Sequence, residues 1–229
     1  MTTSATKLQE NYNQQGFLSA LPVLNGAELR EARQYPWVMG LTKHPCILEV
    51  VKAILGPDVI LLDSRFICKY PTLKAANIQE KEENKADESK LPYVYWGIAG
   101  GPVLSVWLAL DDSLKENGAL QVIPGSHCSG MLLHRQAVRP GNMLSVNQEI
   151  PEELVQVEEA VLCLLSAGQM SIHDGLLVQA SDANTSQRRR CGFVIRYFPT
   201  CDPDRPRKFH ATMLVSGTDQ FNHFSNKST

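Results

Sequence analysis

The sequence predicts a mainly β fold, a β-sandwich or barrel with flanking helices, and three observations support this class. Short apolar segments follow one another along the second half of the chain, each bounded by turn residues. Helical periodicity is confined to the first 58 residues. The chain has 229 residues with 43% hydrophobic content, which is enough for one domain with a substantial core.

The helical N-terminal part is predicted from spacing and capping residues. A short helix is expected over residues 26–32, because Asn25 is a favourable N-cap residue. A second helix is expected over residues 45–55, where apolar residues recur at helical spacing. Gly56-Pro57 ends that helix.

The strands follow from residue 59 onward. Residues 59–71 alternate and are rich in β-branched side chains, which predicts the first strand. Residues 72–90 are crowded with Lys, Glu and Asp and are predicted to be a charged, solvated loop, with a binding role as the alternative. Further strands are expected over residues 103–110, 119–123, 161–165, 170–177 and 192–198.

Composition and charge exclude several classes of protein. The net charge of −2 and the pI of about 6.3 argue against a general nucleic-acid binder. The polar first residues lack the apolar core of a secretory signal, and no apolar run reaches the length of a membrane span. The six cysteines include no C-x-x-C pair. We therefore expect a reduced, cytoplasmic protein without a nucleic-acid partner or a membrane span.

Three consecutive arginines, Arg188, Arg189 and Arg190, directly precede the strand predicted over residues 192–198. One interpretation is a charged turn in which all three face water. The other is that one of the three side chains points into the sheet. A guanidinium in the sheet could clamp a carboxylate through two parallel hydrogen bonds. The local sequence leaves both interpretations open.

The histidines do not form the pattern of a non-haem iron site. Such a site needs two histidines and a carboxylate, and two of these ligands commonly stand as H-x-D or H-x-E on one strand. None of the six histidines has an acidic residue two positions on. His173 and Asp174 are adjacent, so on a strand they face opposite sides, which suits a hydrogen bond better than shared chelation.

Two long segments nevertheless resemble the phytanoyl-CoA dioxygenase family. They are SVWLALDDSLKENGALQVIPGSH at residues 105–127 and GQMSIHDGLLVQASDANTSQRRRCGFVIRYFPT at residues 168–200, with YWGI at 95–98 and LLHR at 132–135 in support. The resemblance covers residues 59–200 and implies a double-stranded β-helix, or jelly roll. Residues 1–229 are accordingly predicted to form a single domain, with a helical part at 1–58 and a jelly-roll core at 59–200.

The resemblance also implies a cosubstrate site. Family members use Fe(II), 2-oxoglutarate and O2 to hydroxylate small or lipid-linked substrates. An arginine eleven positions after the distal metal histidine grips the far carboxylate of 2-oxoglutarate, which assigns Arg190 here. Trp107 and Ser181 fall at positions expected near the same cosubstrate, and Arg188 and Arg189 are then expected to face solvent.

The metal ligands depart from the family pattern. The distal histidine position holds Gln179, whose neutral amide is a weak iron ligand. The H-x-D pair expected before Tyr95 is absent, since Val94 runs directly into Tyr95-Trp96-Gly97. No catalytic residue and no intact metal site are assigned, Fe(II) is not expected to bind, and the jelly roll is expected to be incomplete.

These observations predict a catalytically impaired member of the family. One alternative is an active 2-oxoglutarate-dependent hydroxylase of a small molecule or acyl-CoA. Another is a non-catalytic dicarboxylate-binding or interaction module. A further alternative is a truncated product of a locus whose full-length form is the enzyme. No residue in the sequence identifies the substrate.

Overall fold

The computed structural model describes residues 2–34, 38–71, 103–136, 148–200 and 212–220. Within these ranges the chain is mainly β with flanking helices, which confirms the predicted fold class. The predicted charged loop at 72–90, the YWGI segment and the junction between Val94 and Tyr95 lie outside the described residues. Within the described ranges, no helix is long and apolar enough to cross a membrane.

Four helices belong to the N-terminal part. They are α1 (Thr2–Gln15), α2 (Gly26–Gln34), α3 (Val38–Thr42) and α4 (Pro45–Leu55). The cap predicted for α2 is present, because the Asn25 Oδ1 accepts hydrogen bonds from the backbone N–H groups of Ala27 and Glu28 at 2.9 and 3.1 Å. The helix α4 has the bounds that its periodicity predicts. The polar helix α1 was not predicted.

The strands alternate with turns along the rest of the chain. They are β1 (Phe17–Pro22), β2 (Val59–Lys69), β3 (Leu104–Ala109), β4 (Leu120–Val122), β5 (Arg135–Gln136), β6 (Gln148–Glu149), β7 (Val161–Cys163), β8 (Gln169–Asp174), β9 (Gln179–Ser181), β10 (Arg190–Pro199) and β11 (Met213–Ser216). The strand predicted over 170–177 was wrong in its extent. Asp174 ends β8 by accepting the backbone N–H of Leu176 at 2.8 Å, and β9 begins after this turn.

Antiparallel pairing joins these strands into a large and a small sheet. The large sheet has six strands in the order β1-β8-β3-β10-β2-β11, and the small sheet has three in the order β7-β4-β9. A separate ribbon pairs β5 with β6. The strands β1 and β11 were not predicted, and each lies at an edge of the large sheet.

The two faces of the large sheet pack against different partners. On one face, side chains such as Phe193 and Ile195 join Ile47 and Val51 of α4 in the main core. The other face turns toward the small sheet, where Trp107 and Val194 pack with Leu165. Because side chains alternate along a strand, consecutive residues of β10 belong to these two faces in turn. This second face contains the candidate site.

Candidate functional site

Arg190 is the first residue of β10 and lies buried between the two sheets. Its side chain is 4% exposed. One guanidinium N–H group donates to the carbonyl oxygen of Gly118, and the guanidinium carbon lies 4.7 Å from the centre of the Trp107 ring. A cation over an indole face is a favourable contact, so the ring and the carbonyl together orient the guanidinium.

Gly192 makes room for the Trp107 ring. Both residues lie on the face of the large sheet that turns toward the small sheet, and a Cβ atom at position 192 would overlap the indole. The indole therefore rests directly on the β10 backbone. The absence of a side chain at Gly192 is what allows Trp107 to support Arg190.

Lys69 is the register partner of Arg190 across the β2–β10 pair. It is 9% exposed, and its Nζ donates to the Ser181 hydroxyl at 2.7 Å and to the Ser181 carbonyl at 3.1 Å. Burial, together with the neighbouring charge of Arg190, lowers the pKa of Lys69 to about 8. Two cationic side chains therefore lie next to each other at one end of the cleft between the sheets.

Within the described ranges neither cation forms an ion pair, and the Asp182 carboxylate offsets the charge of Lys69 only in part. The hydrogen bonds of Lys69 and Arg190 there go to carbonyl and hydroxyl oxygens. Burial lowers the pKa of Arg190 to about 10, so the group stays charged at neutral pH, and its Nε is buried without a hydrogen-bond partner. Incompletely compensated charge in a buried position is costly, and an anion bound between the two side chains would relieve it.

The turn at Glu116-Asn117-Gly118 forms one wall of the site. Asn117 ties this turn together, because its Oδ1 accepts the Leu114 N–H at 2.8 Å and its amide donates to the Asp112 carbonyl at 2.8 Å. Gly118 adopts a φ of 77°, a left-handed conformation that favours glycine. The turn thus presents the Gly118 carbonyl to Arg190.

The other two arginines face away from the cleft. Arg188 forms an ion pair with Glu116 at 2.8 Å, and Arg189 forms one with Asp111 at 2.9 Å. Their side chains are 57% and 46% exposed. Of the three consecutive arginines, Arg190 alone is buried.

Gln179 and Ser181 lie on β9, on the same face of the small sheet because they are two residues apart. Both positions are exposed. Ser181 contacts Lys69, so the structure brings Arg190, Trp107, Ser181 and Lys69 together at one end of the cleft. Gln179 lies further along β9, opposite Val122.

His173 and Asp174 do not converge with other potential metal ligands within the described ranges. Asp174 accepts hydrogen bonds from the Tyr12 hydroxyl at 3.1 Å and from the backbone N–H of Leu176 at 2.8 Å. His173 is 2% exposed, and burial lowers its pKa to about 4. Across the described ranges, no group of three or more His, Cys, Asp and Glu side chains is arranged to hold a metal ion.

Lys69 is the residue of the site that sequence reasoning missed. It stands at the end of a predicted strand, where a lysine ordinarily reaches solvent. Its partner Arg190 is far away in sequence, so the pairing depends on the register of β2 against β10. Ile67 faces the small sheet, and strand alternation places Lys69 on the same face of β2. This alternation was the sequence signal that could have identified Lys69 as an inward-facing residue.

Comparisons with known proteins agree with this architecture. The family model for phytanoyl-CoA dioxygenase (PhyH) matches residues 19–192. The dioxygenase lolE1 of Epichloe uncinata is 25% identical over 169 residues, which is 73% of this chain and 57% of that protein. The matched region covers between about a third and just over a half of the length of the first curated relatives.

Solved structures show the same fold. A non-heme monooxygenase, ThoJ in its apo form, superposes with a TM-score of 0.74 and 25% identity, covering 96% of this chain and 87% of that one. The epimerase SnoN, solved in complex with Fe3+, alpha ketoglutarate and nogalamycin RO, has a TM-score of 0.58 at 16% identity, covering 87% and 85% of the two chains. The predicted jelly-roll class is confirmed by these neighbours. The family match extends over most of the chain, and the protein is a member of the phytanoyl-CoA dioxygenase family of Fe(II)/2-oxoglutarate oxygenases.

Proposed function

We propose that this chain binds 2-oxoglutarate through Arg190 and Lys69 and that it is impaired as an oxygenase because its metal centre is altered. The observation that supports the first part is the pair of adjacent buried cations. Within the described residues neither cation forms an ion pair. A dicarboxylate would neutralise both.

The chemistry of the site suits the far carboxylate of 2-oxoglutarate. A carboxylate between Arg190 and Lys69 would accept charge-assisted hydrogen bonds from both, and the Ser181 hydroxyl is 2.7 Å from Lys69. The bound anion would replace the Gly118 and Ser181 oxygens as partner of the two cations.

The residues present do not fit an iron ion. In the family, iron together with 2-oxoglutarate activates O2. Here the distal ligand position holds the exposed amide Gln179, and the sequence contains no H-x-D or H-x-E pair. Asp174 is engaged by Tyr12 and Leu176. Ligand binding and metal binding are therefore expected to be separated in this protein.

Two titrations test this proposal. Calorimetry with 2-oxoglutarate alone is expected to show saturable one-to-one binding without added metal, and absence of binding would contradict the cosubstrate assignment. An anaerobic titration with Fe(II) is expected to show no stoichiometric binding. Stoichiometric Fe(II) uptake with micromolar affinity or better, or release of succinate from 2-oxoglutarate in the presence of a small-molecule substrate, would instead support an active hydroxylase.

A further inference from the structure

Two cysteines lie side by side behind the cation pair. Cys68 and Cys191 are register partners on β2 and β10, one residue away from Lys69 and Arg190. Because side chains alternate along a strand, the thiols project from the opposite face of the sheet, where both contact the main core beneath the helices. Cys191 is buried, and Cys68 is partly exposed.

The backbone geometry places these two residues close together. The Cys191 carbonyl accepts the backbone N–H groups of Leu110 and Asp111, both at 3.0 Å, and the Cys191 N–H donates to the Asp111 carboxylate at 3.1 Å. These polar groups therefore point toward β3. Across β2, Cys68 and Cys191 then form a non-hydrogen-bonded pair, with Cα atoms about 4.5 Å apart. This separation lies within the range that a disulfide bridges, roughly 4.4–6.8 Å.

The two thiols differ in their reactivity. Burial, with the neighbouring Cys68 thiol as the next cause, raises the pKa of Cys191 to about 12, so Cys191 is protonated at neutral pH. A hydrogen bond joins its side chain to Cys68. Cys68 is the more accessible sulfur and is the one that an oxidant would meet first.

The remaining described cysteines have no such arrangement. Cys46 and Cys128 are exposed, and buried Cys163 lies opposite Leu120 in its sheet.

We propose that Cys68 and Cys191 are a redox modification site that forms a reversible cross-strand disulfide when a hydroperoxide is present. The Cys68 thiolate attacks the O–O bond of hydrogen peroxide, which breaks to give a sulfenic acid at Cys68 and one water once the released hydroxide is protonated. The Cys191 sulfur then displaces the sulfenic oxygen as a second water and loses its proton. The two sulfurs lose two electrons in total, and the peroxide gains them.

The disulfide would tie β2 to β10 at the end that holds Lys69 and Arg190. It would join two residues that are far apart in sequence, and such a cross-link restricts the unfolded chain. The oxidised protein is therefore expected to melt at a higher temperature than the reduced protein, by about 5 °C or more. This inference does not depend on ligand binding.

Peptide mapping tests the proposal directly. Folded protein is treated with hydrogen peroxide, free thiols are blocked, and the chain is denatured and digested with trypsin. Cleavage after Arg65, Lys69, Arg190 and Arg196 yields the peptides FICK and CGFVIR. The expected product is these two peptides joined, lighter by two hydrogens than their sum and separated again by a reducing agent.

Matched variants and a second measurement keep the outcome decisive. Cys46→Ser is expected to retain the linked peptide, and Cys191→Ser is expected to lose it. If Cys191→Ser does not fold, peroxide treatment of the unaltered protein in denaturant provides the comparison instead. The denatured protein should give mixed pairings among all the cysteines. Recovery of FICK and CGFVIR only as separately alkylated peptides from the peroxide-treated folded protein would overturn the proposal, as would a link that forms only in the denatured protein.

Discussion

The two ends of the cleft between the sheets differ in burial and charge. At one end, Arg190 and Lys69 are buried next to each other, and Trp107 and Ser181 complete their surroundings. At the other end, Gln179 is an exposed, uncharged amide.

The difference teaches that the cation pair depends on structural supports that do not include Gln179. The cation end is held by strand register, by a glycine beneath the indole and by the Asn117-stabilised turn. A change at Gln179 alters none of these contacts. The geometry of the cation end is therefore independent of the residue at position 179.

The largest expected effect comes from removing the buried guanidinium. Arg190→Met keeps much of the side-chain volume while deleting the charge, and it should weaken 2-oxoglutarate binding about 100-fold, in line with the loss of a buried charge-assisted pair. Gln179→Ala is the matched change at the other end and should alter the affinity less than about threefold. Calorimetry on the two variants measures both values.

An equal loss of affinity for 2-oxoglutarate in the two variants would contradict the separation of the two ends. Circular dichroism on each variant controls for folding, and an unchanged affinity in Arg190→Met would remove the assignment of this residue altogether.

A change at Gly192 should disturb the cation end through the protein core. The Cβ atom of Gly192→Ala would overlap the Trp107 ring, and we expect the free energy of unfolding to fall by about 1–3 kcal/mol, with a weaker grip on 2-oxoglutarate. Gly26→Ala is the control, since an added Cβ there comes no closer than 3.6 Å to the Arg30 side chain. Thermal denaturation of both variants checks this, and equal melting temperatures would show that the indole can move.

Lys69 should make binding depend on pH. Its pKa of about 8 is below the ordinary value of 10.5, so it loses its proton in the folded protein while the unfolded chain still holds it. Affinity for 2-oxoglutarate should therefore fall up to about tenfold as the pH rises from 7 to 9, roughly one charged hydrogen bond. Its contribution to stability has the opposite sign and rises with pH between about 8 and 10.5.

The variant Lys69→Met isolates this effect. It should bind about tenfold more weakly at pH 7 and show little further change up to pH 9. Calorimetry across this pH range measures both proteins, and a steep decline that persists in Lys69→Met would place the titrating group elsewhere.

The smallest expected effect is at Gln179, the position that the family resemblance assigns to the distal metal histidine. Gln179→His restores one imidazole, but the sequence still has no H-x-D or H-x-E pair, so Fe(II) binding should stay undetectable at micromolar concentrations. The measurement is an anaerobic titration of the variant beside the unaltered protein. A clear gain in Fe(II) affinity would show that other residues complete a metal site.

Local patterns were sufficient for much of the fold. The cap at Asn25 and the spacing in α4 predicted two helices, and apolar runs predicted most strands of the large sheet. The helix α1 was missed because it has few apolar residues. The strands β1 and β11 were missed although β1 is as long as β3, and both lie at the edges of the large sheet. Each becomes regular through pairing or packing with distant segments, which a local pattern does not contain.

In the candidate site, too, some residues could be predicted from the sequence and others depend on long-range pairing. The family resemblance singled out Arg190, Trp107 and Ser181, which the structure places together. Lys69 and the Cys68–Cys191 pair were missed, because both depend on how β2 aligns with β10. Strand register is a long-range property, and no spacing within either segment reveals it.

The loop before β10 depends on the side chain of Asn184, which is 2% exposed. Its amide donates to the Lys69 carbonyl at 3.0 Å and to the Arg188 carbonyl at 2.7 Å, while its oxygen accepts the Ser186 N–H at 3.0 Å. Asn184-Thr185-Ser186 matches the acceptor triplet for N-linked glycans. Attachment of a sugar to this amide would require the loop to open, so the folded protein shields the triplet from glycosylation.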